Sequence, residues 1–407
     1  MRLRILTLVL LVNVVCGGVV WAQADRESTP GKRLLMHYMP WYTTPEVREA
    51  WGGHWTGWGR HDPEDVDASG RRDVWSHYYP LIGTYDSADP DVIECQLLQM
   101  KLAGVDGVIV DWYGISDLYD YPDNHVGSQA LFTVAARVGM TFAVCFEDRT
   151  VQSLVEQERL DEGDVAEHLT AMVRWLDLHW FRHAHYERVD GRPLLLNFGP
   201  IYVKDASAWE AALGSVAVRP VFFALHHLWR GVEGDGGFTW VHADAWEDSA
   251  GAEDVKRKLH QLFDYVSGGD PERVIVSAVP GFKDVYDRPM IELDHREGAT
   301  LEASLAACMD GPWRIVQLVT WNDYGEGTVI EPTREFGYRF LEIIQAARRE
   351  EAGIAFSFTA EDLRLPARLL ELRRSGDVDR GALDAVADMI SDGRCDEARR
   401  AMDRLER

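Results

Sequence analysis

From residue 33 to about 350 the chain alternates between short apolar runs and longer stretches whose apolar positions recur at helical spacing. The runs are RLLMHYMPW from 33, GVDGVIVDWYG from 104, MTFAVCFEDR from 140 and RPLLLNFGP from 192. They continue with PVFFALHHL from 220, FTWVHADAW from 238, RVIVSAVPG from 273 and RIVQLVTWNDYGEG from 314. Unbroken Val, Ile, Leu and Phe suit strands buried on both faces, as in a parallel sheet. The intervals hold crossover helices: in DPDVIECQLLQMKLAGV, Asp89-Pro90 makes a helix start and Gly104 a stop. Eight such units predict an α/β chain folded as a (β/α)8 TIM-type barrel over residues 25–350. The sixth run is the least regular, because His242 and Asp244 interrupt it. GVEGDGGF at 231–238 lacks the strand-then-helix context of a dinucleotide loop and reads as a flexible lid. Beyond 350, PARLLELRR, GALDAVADMI and CDEARRAMDRLER predict a short C-terminal α-helical appendage over 351–407 that packs on the barrel or binds a partner.

The first 24 residues break this rhythm. MRLRILTLVLLVNVVCGGVVWAQA carries two arginines, an apolar run and a terminal Ala22-Gln23-Ala24, the pattern of a cleaved secretory signal. The expectation is export to the periplasm or the extracellular space, with no stable membrane insertion after cleavage. An uncleaved anchor is the alternative, since the apolar run approaches roughly 17 residues. A lipid-modified Cys16 is disfavoured by Val15 before it. Cys95, Cys145, Cys308 and Cys395 remain, spaced neither as a CxxC metal site nor as a dense disulfide scaffold, and read as buried small hydrophobes.

Charge narrows the partner. The 407 residues carry a formal net charge of -25, and losing the signal removes two more positive charges, leaving -27. Such a surface repels phosphate backbones and anionic membranes, so nucleic acid is excluded as a partner and a neutral ligand favoured.

Polar residues gather where the runs end: Asp111 and Trp112 after the second, Glu147 and Asp148 after the third, Asn197 after the fourth, His226 and His227 after the fifth, Glu247 after the sixth. Trp321, Asn322, Asp323, Tyr324, Glu326 and Glu331 follow the eighth. In a (β/α)8 barrel these ends converge on one face, where active sites are built. The loop after the first run adds ten Trp and Tyr residues between 38 and 85, with Tyr38, Trp41, His54, Trp55 and Trp58 the candidates for contact. Indole and phenol faces pack on the C–H faces of sugars while acids and amides take their hydroxyls, so the expected partner is an oligo- or polysaccharide. Asp323 and Glu326 stand three apart; on a helical turn they would share one face, and two close carboxyls with divergent pKa values are what glycoside hydrolysis requires. No phosphate-binding loop appears, and no spacing among His54, His61, His77 and the acids of DPEDVDASG is diagnostic of a metal, so neither metal nor cofactor is assigned. A glycan-binding protein without catalysis is the competing reading; it would tolerate losing an acid, whereas both are present.

TWNDYGEGTVIEP at 320–332, together with HYMPWY at 37–42, SHYYPLIGTYDSADPDVIE at 76–94 and GVDGVIVDWYG, resembles the glycoside hydrolases grouped as family 71/99-like. Asp-Tyr-Gly-Glu is similar to family 71, the endo-α-1,3-glucanases, and Gly-Thr-x-Ile-Glu-Pro to family 99, the endo-α-mannosidases. The resemblance implies a (β/α)8 fold, hydrolysis of α-linked glucan or mannan, and Asp323 with Glu326 as the catalytic pair. Family 99 usually has Glu at the first position, so Asp323 departs towards family 71. That leaves open both a 1,2-anhydro intermediate and direct attack by water. Asp111 matches a further acid of family 71 that orients water or holds a sugar hydroxyl.

Overall fold

The structure is a computed structural model that describes residues 31–286, 292–351 and 355–407. The amino-terminal export pattern and Cys16 lie outside the described residues. Eight parallel strands close on themselves: β1 Arg33–Tyr38, β2 Gly107–Trp112, β3 Thr141–Phe146, β4 Arg192–Asn197, β5 Val221–Leu225, β6 Gly236–Phe238, β7 Val274–Ala278 and β8 Ile315–Leu318. Each pairs with its sequence neighbour, and β8 returns to β1 with Leu34 beside Val316 and Met36 beside Leu318. The chain is thus a (β/α)8 barrel. Its outer ring is α1 Pro90–Ala103, α2 Tyr121–Arg137, α3 Val165–Leu176, α4 Ala206–Leu213, α5 Ala252–Ser267, α6 Ala299–Asp310 and α7 Arg339–Glu350, with a 3-10 turn at Trp229–Val232 in the place after β5. The Asp89 carboxylate caps α1 by accepting from the amides of Asp91 and Val92, and Gly104 ends it at φ 93°.

The expected lid at 231–238 is a correction, because Gly236–Phe238 is a barrel strand. A Cβ on Gly236 would lie 2.5 Å from both the Arg273 carbonyl and the Phe223 ring, and one on Gly237 would run into the Trp229 indole. The glycines are there because neighbouring strands and an indole press on the backbone, not because the segment must move. The strand ends at Phe238, so His242 and Asp244 lie beyond it rather than inside it.

Side chains alternate between two environments. Leu35, Ile109, Ala143, Leu194, Leu196, Phe223, Phe238 and Ile275 fill the barrel, while Leu34, Met36, Tyr38, Val108, Val110, Trp112, Phe142, Val144 and Phe146 pack under the helices. Above the apolar floor the interior turns polar. Thr239 donates to Ser277 Oγ at 3.0 Å, and Gln317 Nε2 donates to Ser277 Oγ at 2.8 Å and to the Thr239 carbonyl at 2.7 Å.

The appendage is α8 Leu365–Ser375, α9 Arg380–Ser391 and α10 Cys395–Leu405, and it packs on α1. Arg373 is its anchor, 2.8 Å from buried Glu94 and 2.9 Å from Asp384, with Arg137 of α2 on the other Glu94 oxygen. The four cysteines among the described residues are buried and unbridged. No helix among the described residues is long and apolar enough to cross a membrane.

Candidate active site

The segment after β8 forms a hairpin, β9 Asn322–Asp323 against β10 Thr328–Val329, rather than the helical turn that would put Asp323 and Glu326 on one face. Within its turn Asp323 Oδ1 accepts the Glu326 amide at 2.8 Å, while the Asp323 amide donates to Thr320 Oγ1 at 2.8 Å. The acids are therefore joined through the backbone of one tight loop. The segment after β7 grips that loop from outside: the amides of Lys283 and Val285 donate to the carbonyls of Glu326 and Gly325, both at 2.9 Å. Gly327 sits at φ 67°, and a Cβ on it would meet the Lys283 carbonyl.

The inward phase of β1 to β3 completes the pocket. His37, Asp111, Cys145 and Glu147 occupy it, and the nearest donor atoms of His37, Asp111 and Cys145 lie within 4.8 Å of one another. Burial pushes the Asp111 carboxyl well above its ordinary range, and the charges of Glu147, Asp323 and Glu326 push the same way. Burial raises Glu147 to about 8, with Arg149 opposing and Asp148 adding. It raises Asp323 to about 6, opposed by the Glu326 and Gly325 amides and by His54. His37 goes the other way, down to about 3, because burial disfavours the imidazolium.

Aromatic rings form one rim. Trp41 stacks on His54 with centroids 4.2 Å apart, His54 meets Trp58 edge-on at 5.2 Å, Trp58 meets Trp75 at 5.2 Å, and Trp75 meets Tyr286 at 4.9 Å. His54 Nε2 also pairs with Asp120 at 3.0 Å. Trp58 is 63% exposed and holds φ 55°, an outlier for so bulky a side chain. Across the mouth, His226 contacts His227 and His242 with ring centroids 4.7 and 4.6 Å away, and burial with those neighbours lowers it to about 3.

Nine expected contact residues belong to the wall instead. Tyr38 points under α1 and donates to Gln96 at 2.6 Å, and Trp112 packs beneath α2 and α3, donating to His125 Nδ1 at 3.1 Å. Asp148 accepts three amides, from Ile201, Tyr202 and Val203, at 2.8–2.9 Å and so pins the loop after β4. Asn197, fully buried, lies on the outward phase beside it. Trp55 is walled in by Tyr42, Tyr85 and Tyr324, and Trp321 lies in the core under the helices. Asn322 clamps the end of β1 through both backbone groups of Met39. Tyr324 and Glu331 bond each other at 2.7 Å, and Glu331 also accepts from Tyr85 and Gln96. Glu247 is exposed. His37, Cys145, Trp75 and Tyr286 were missed as site residues; strand register would have found the first two, because Cys145 lies opposite Asp111 and His37 opposite Ile109, two residues before it.

A (β/α)8 barrel whose mouth joins clustered carboxyls to an aromatic rim is the architecture of a glycoside hydrolase, and comparison with known proteins agrees. Residues 31–223 match the model of Glycosyl hydrolase family 99. Curated relatives include the Glycoprotein endo-alpha-1,2-mannosidase-like protein of Danio rerio, 24% identical over 77% of this chain and 74% of that protein. The Mus musculus protein of that name is 25% identical over 76% and 72%. Among solved structures, the GH99 endo-alpha-mannosidase from Bacteroides thetaiotaomicron matches with a TM-score of 0.57 at 20% identity, covering 78% of this chain and 98% of that one. The chain is a glycoside hydrolase similar to those of family 99, whose model covers just under half of it.

Proposed function

We propose that this chain is an exported endo-acting hydrolase of α-mannan-type glycans, with Asp323 and Glu326 as its catalytic pair. The carrying observation is the β9–β10 hairpin, which sets both acids on one backbone-locked turn at the barrel mouth, with Asp323 raised into a range where it can exchange protons near neutrality. The mannan assignment draws on the printed names of the relatives, all endo-mannosidases or proteins like them; the α-glucan half of the expectation draws no support from them. Export rests on the pattern of residues 1–24.

Hydrolysis needs one carboxyl to give a proton to the departing glycosidic oxygen and a carboxylate to take one from the nucleophile. Asp323 suits the second role, because the Glu326 and Gly325 amides favour its ionised form, which leaves Glu326 as donor. The nucleophile is water or the sugar's own neighbouring hydroxyl. Trp41, His54 and Trp58 present ring surface to the sugar units, and Asp111, Glu147 and His226 hydrogen-bonding groups.

The test is hydrolysis of an α-mannan panel, with α-1,3-glucan as control, followed by proton NMR of the first anomer released. Mannan cleavage lost in both Asp323→Asn and Glu326→Gln supports the reading, and the anomer selects the nucleophile: retention for the neighbouring hydroxyl, inversion for water. Cleavage surviving both substitutions removes the catalytic assignment.

A further inference from the structure

Asp323 and Glu326 supply the two carboxyls that hydrolysis requires, yet the pocket floor beneath them carries a second set of reactive groups. We infer that His37, Asp111 and Cys145 form a site for one divalent transition-metal ion of the zinc type. The three side chains come from adjacent strands of the barrel, β1, β2 and β3, so their backbones are fixed by parallel pairing. All three are buried, and one nitrogen, one carboxylate oxygen and the sulfur lie within 4.8 Å of one another. Among the described residues this is the one group of three such donors placed so closely.

The independent observation is a pair of unsatisfied atoms, although the Gln317 side chain reaches the His37 ring. His37 Nδ1 and Asp111 Oδ1 are each shut off from solvent, and neither has a hydrogen-bond partner. Buried polar atoms are nearly always satisfied, and an orphaned pair on two side chains clustered with a sulfur points to a bound species.

The donor set selects the ion. Imidazole, thiolate and carboxylate together suit zinc or its tetrahedral substitutes, whereas calcium and magnesium take oxygen. Tetrahedral ligation at zinc brings donors to about 3.5 Å of one another, so side-chain rotations closing the present separations by about 1 Å suffice. Three protein ligands leave a fourth position that water or a sugar hydroxyl would complete, and Asp111 lies close enough to Glu147, Asp323 and Glu326 to feel their charge. A divalent cation would also relieve the crowding of Asp111, Glu147, Asp323 and Glu326, whose charges converge on this floor.

The site stands or falls apart from the glycosidase reading, because its test reads metal and not turnover. The full chain, stripped with a chelator, is titrated with zinc against a chromophoric competitor and separately with cobalt(II). The expected result is saturable uptake of one ion per chain and a near-ultraviolet thiolate-to-cobalt band. That band disappears in Cys145→Ser, and zinc affinity falls by more than about a hundredfold in His37→Gln, since even outer-shell changes cost up to that much. Thermal melts of the stripped variants beside the stripped parent check folding. A parent that takes up no ion, or shows no thiolate band, overturns the inference without recourse to the variants. So does uptake that is unchanged in both variants.

Discussion

Asp323 and Glu331 stand eight residues apart on one hairpin, both almost wholly buried and both raised by burial, Asp323 to about 6 and Glu331 to about 7. Their partners differ. Glu331 is saturated by side chains of the wall, accepting from the Tyr85 and Tyr324 hydroxyls and the Gln96 amide at 2.7–2.9 Å. Asp323 takes no side-chain hydrogen bond among the described residues; it is held through the backbone of its own turn. A raised pKa alone does not mark the chemical carboxyl, since desolvation acts on both. What separates them is whether the fold has used up their oxygens.

The sharpest way to break this contrast is to neutralise each acid in turn. Asp323→Asn keeps the shape and removes the proton acceptor, and kcat should fall by more than about a thousandfold with thermal stability nearly unchanged. A tenfold fall would remove Asp323 from the chemistry. Glu331→Leu should do the reverse: three buried donors lose their acceptor, costing about 2–5 kcal/mol in urea unfolding, with activity lost only as the hairpin loosens. The parent has its own signature. The unfolded Glu331 loses its proton near 4.5 while the folded one holds it to about 7, so its contribution to stability is full below about 4.5 and drains away as pH rises to about 7. In Glu331→Leu that part of the pH slope should vanish.

The same contrast explains how far the sequence could be read. Runs of Val, Ile and Leu located seven of the eight strands, because strands buried on both faces must be apolar throughout; the sixth, glycine-rich Gly236–Phe238, fell in the segment read as a lid. Continuity of that kind hides phase. Asp111 with Trp112, and Glu147 with Asp148, were both marked as contact pairs, yet one of each serves the pocket and the other the wall: Asp111 and Trp112 alternate along β2, while Glu147 and Asp148 part just past the end of β3. Around TWNDYGEGTVIEP the crowding of polar residues was legible, but not its division into Asp323 and Glu326 at the mouth and Asn322, Tyr324 and Glu331 behind it. That division depends on Tyr42, Tyr85 and Gln96, which reach the hairpin from far along the chain.

A smaller effect is expected at the rim. Trp58 offers an exposed indole to a glycan unit away from the reacting bond, so Trp58→Ala should raise KM by about fivefold to tenfold and leave kcat within about twofold, the value of one stacking contact. A short substrate that ends before the rim should feel nothing. If kcat falls as much as KM rises, Trp58 instead supports the placement of His54 behind it.

His54 gives the finest probe of Asp323 itself. Its charge is the side-chain influence that opposes burial at Asp323, so His54→Gln removes stabilisation of the carboxylate and lifts that group further. As proton acceptor Asp323 must be ionised, which makes kcat/KM rise with pH through about 6 in the parent; in the variant this acid limb should move to higher pH. Activity below the limb then falls by less than about tenfold, while the plateau above it is retained, because Asp323 is ionised there in parent and variant alike. Glutamine keeps a hydrogen bond within reach of Asp120, which separates the loss of charge from a collapse of the rim. A limb that stays in place would detach His54 from the site electrostatics. One that inverts, with activity falling through the same range, would make Asp323 the proton donor and exchange the roles of the two acids.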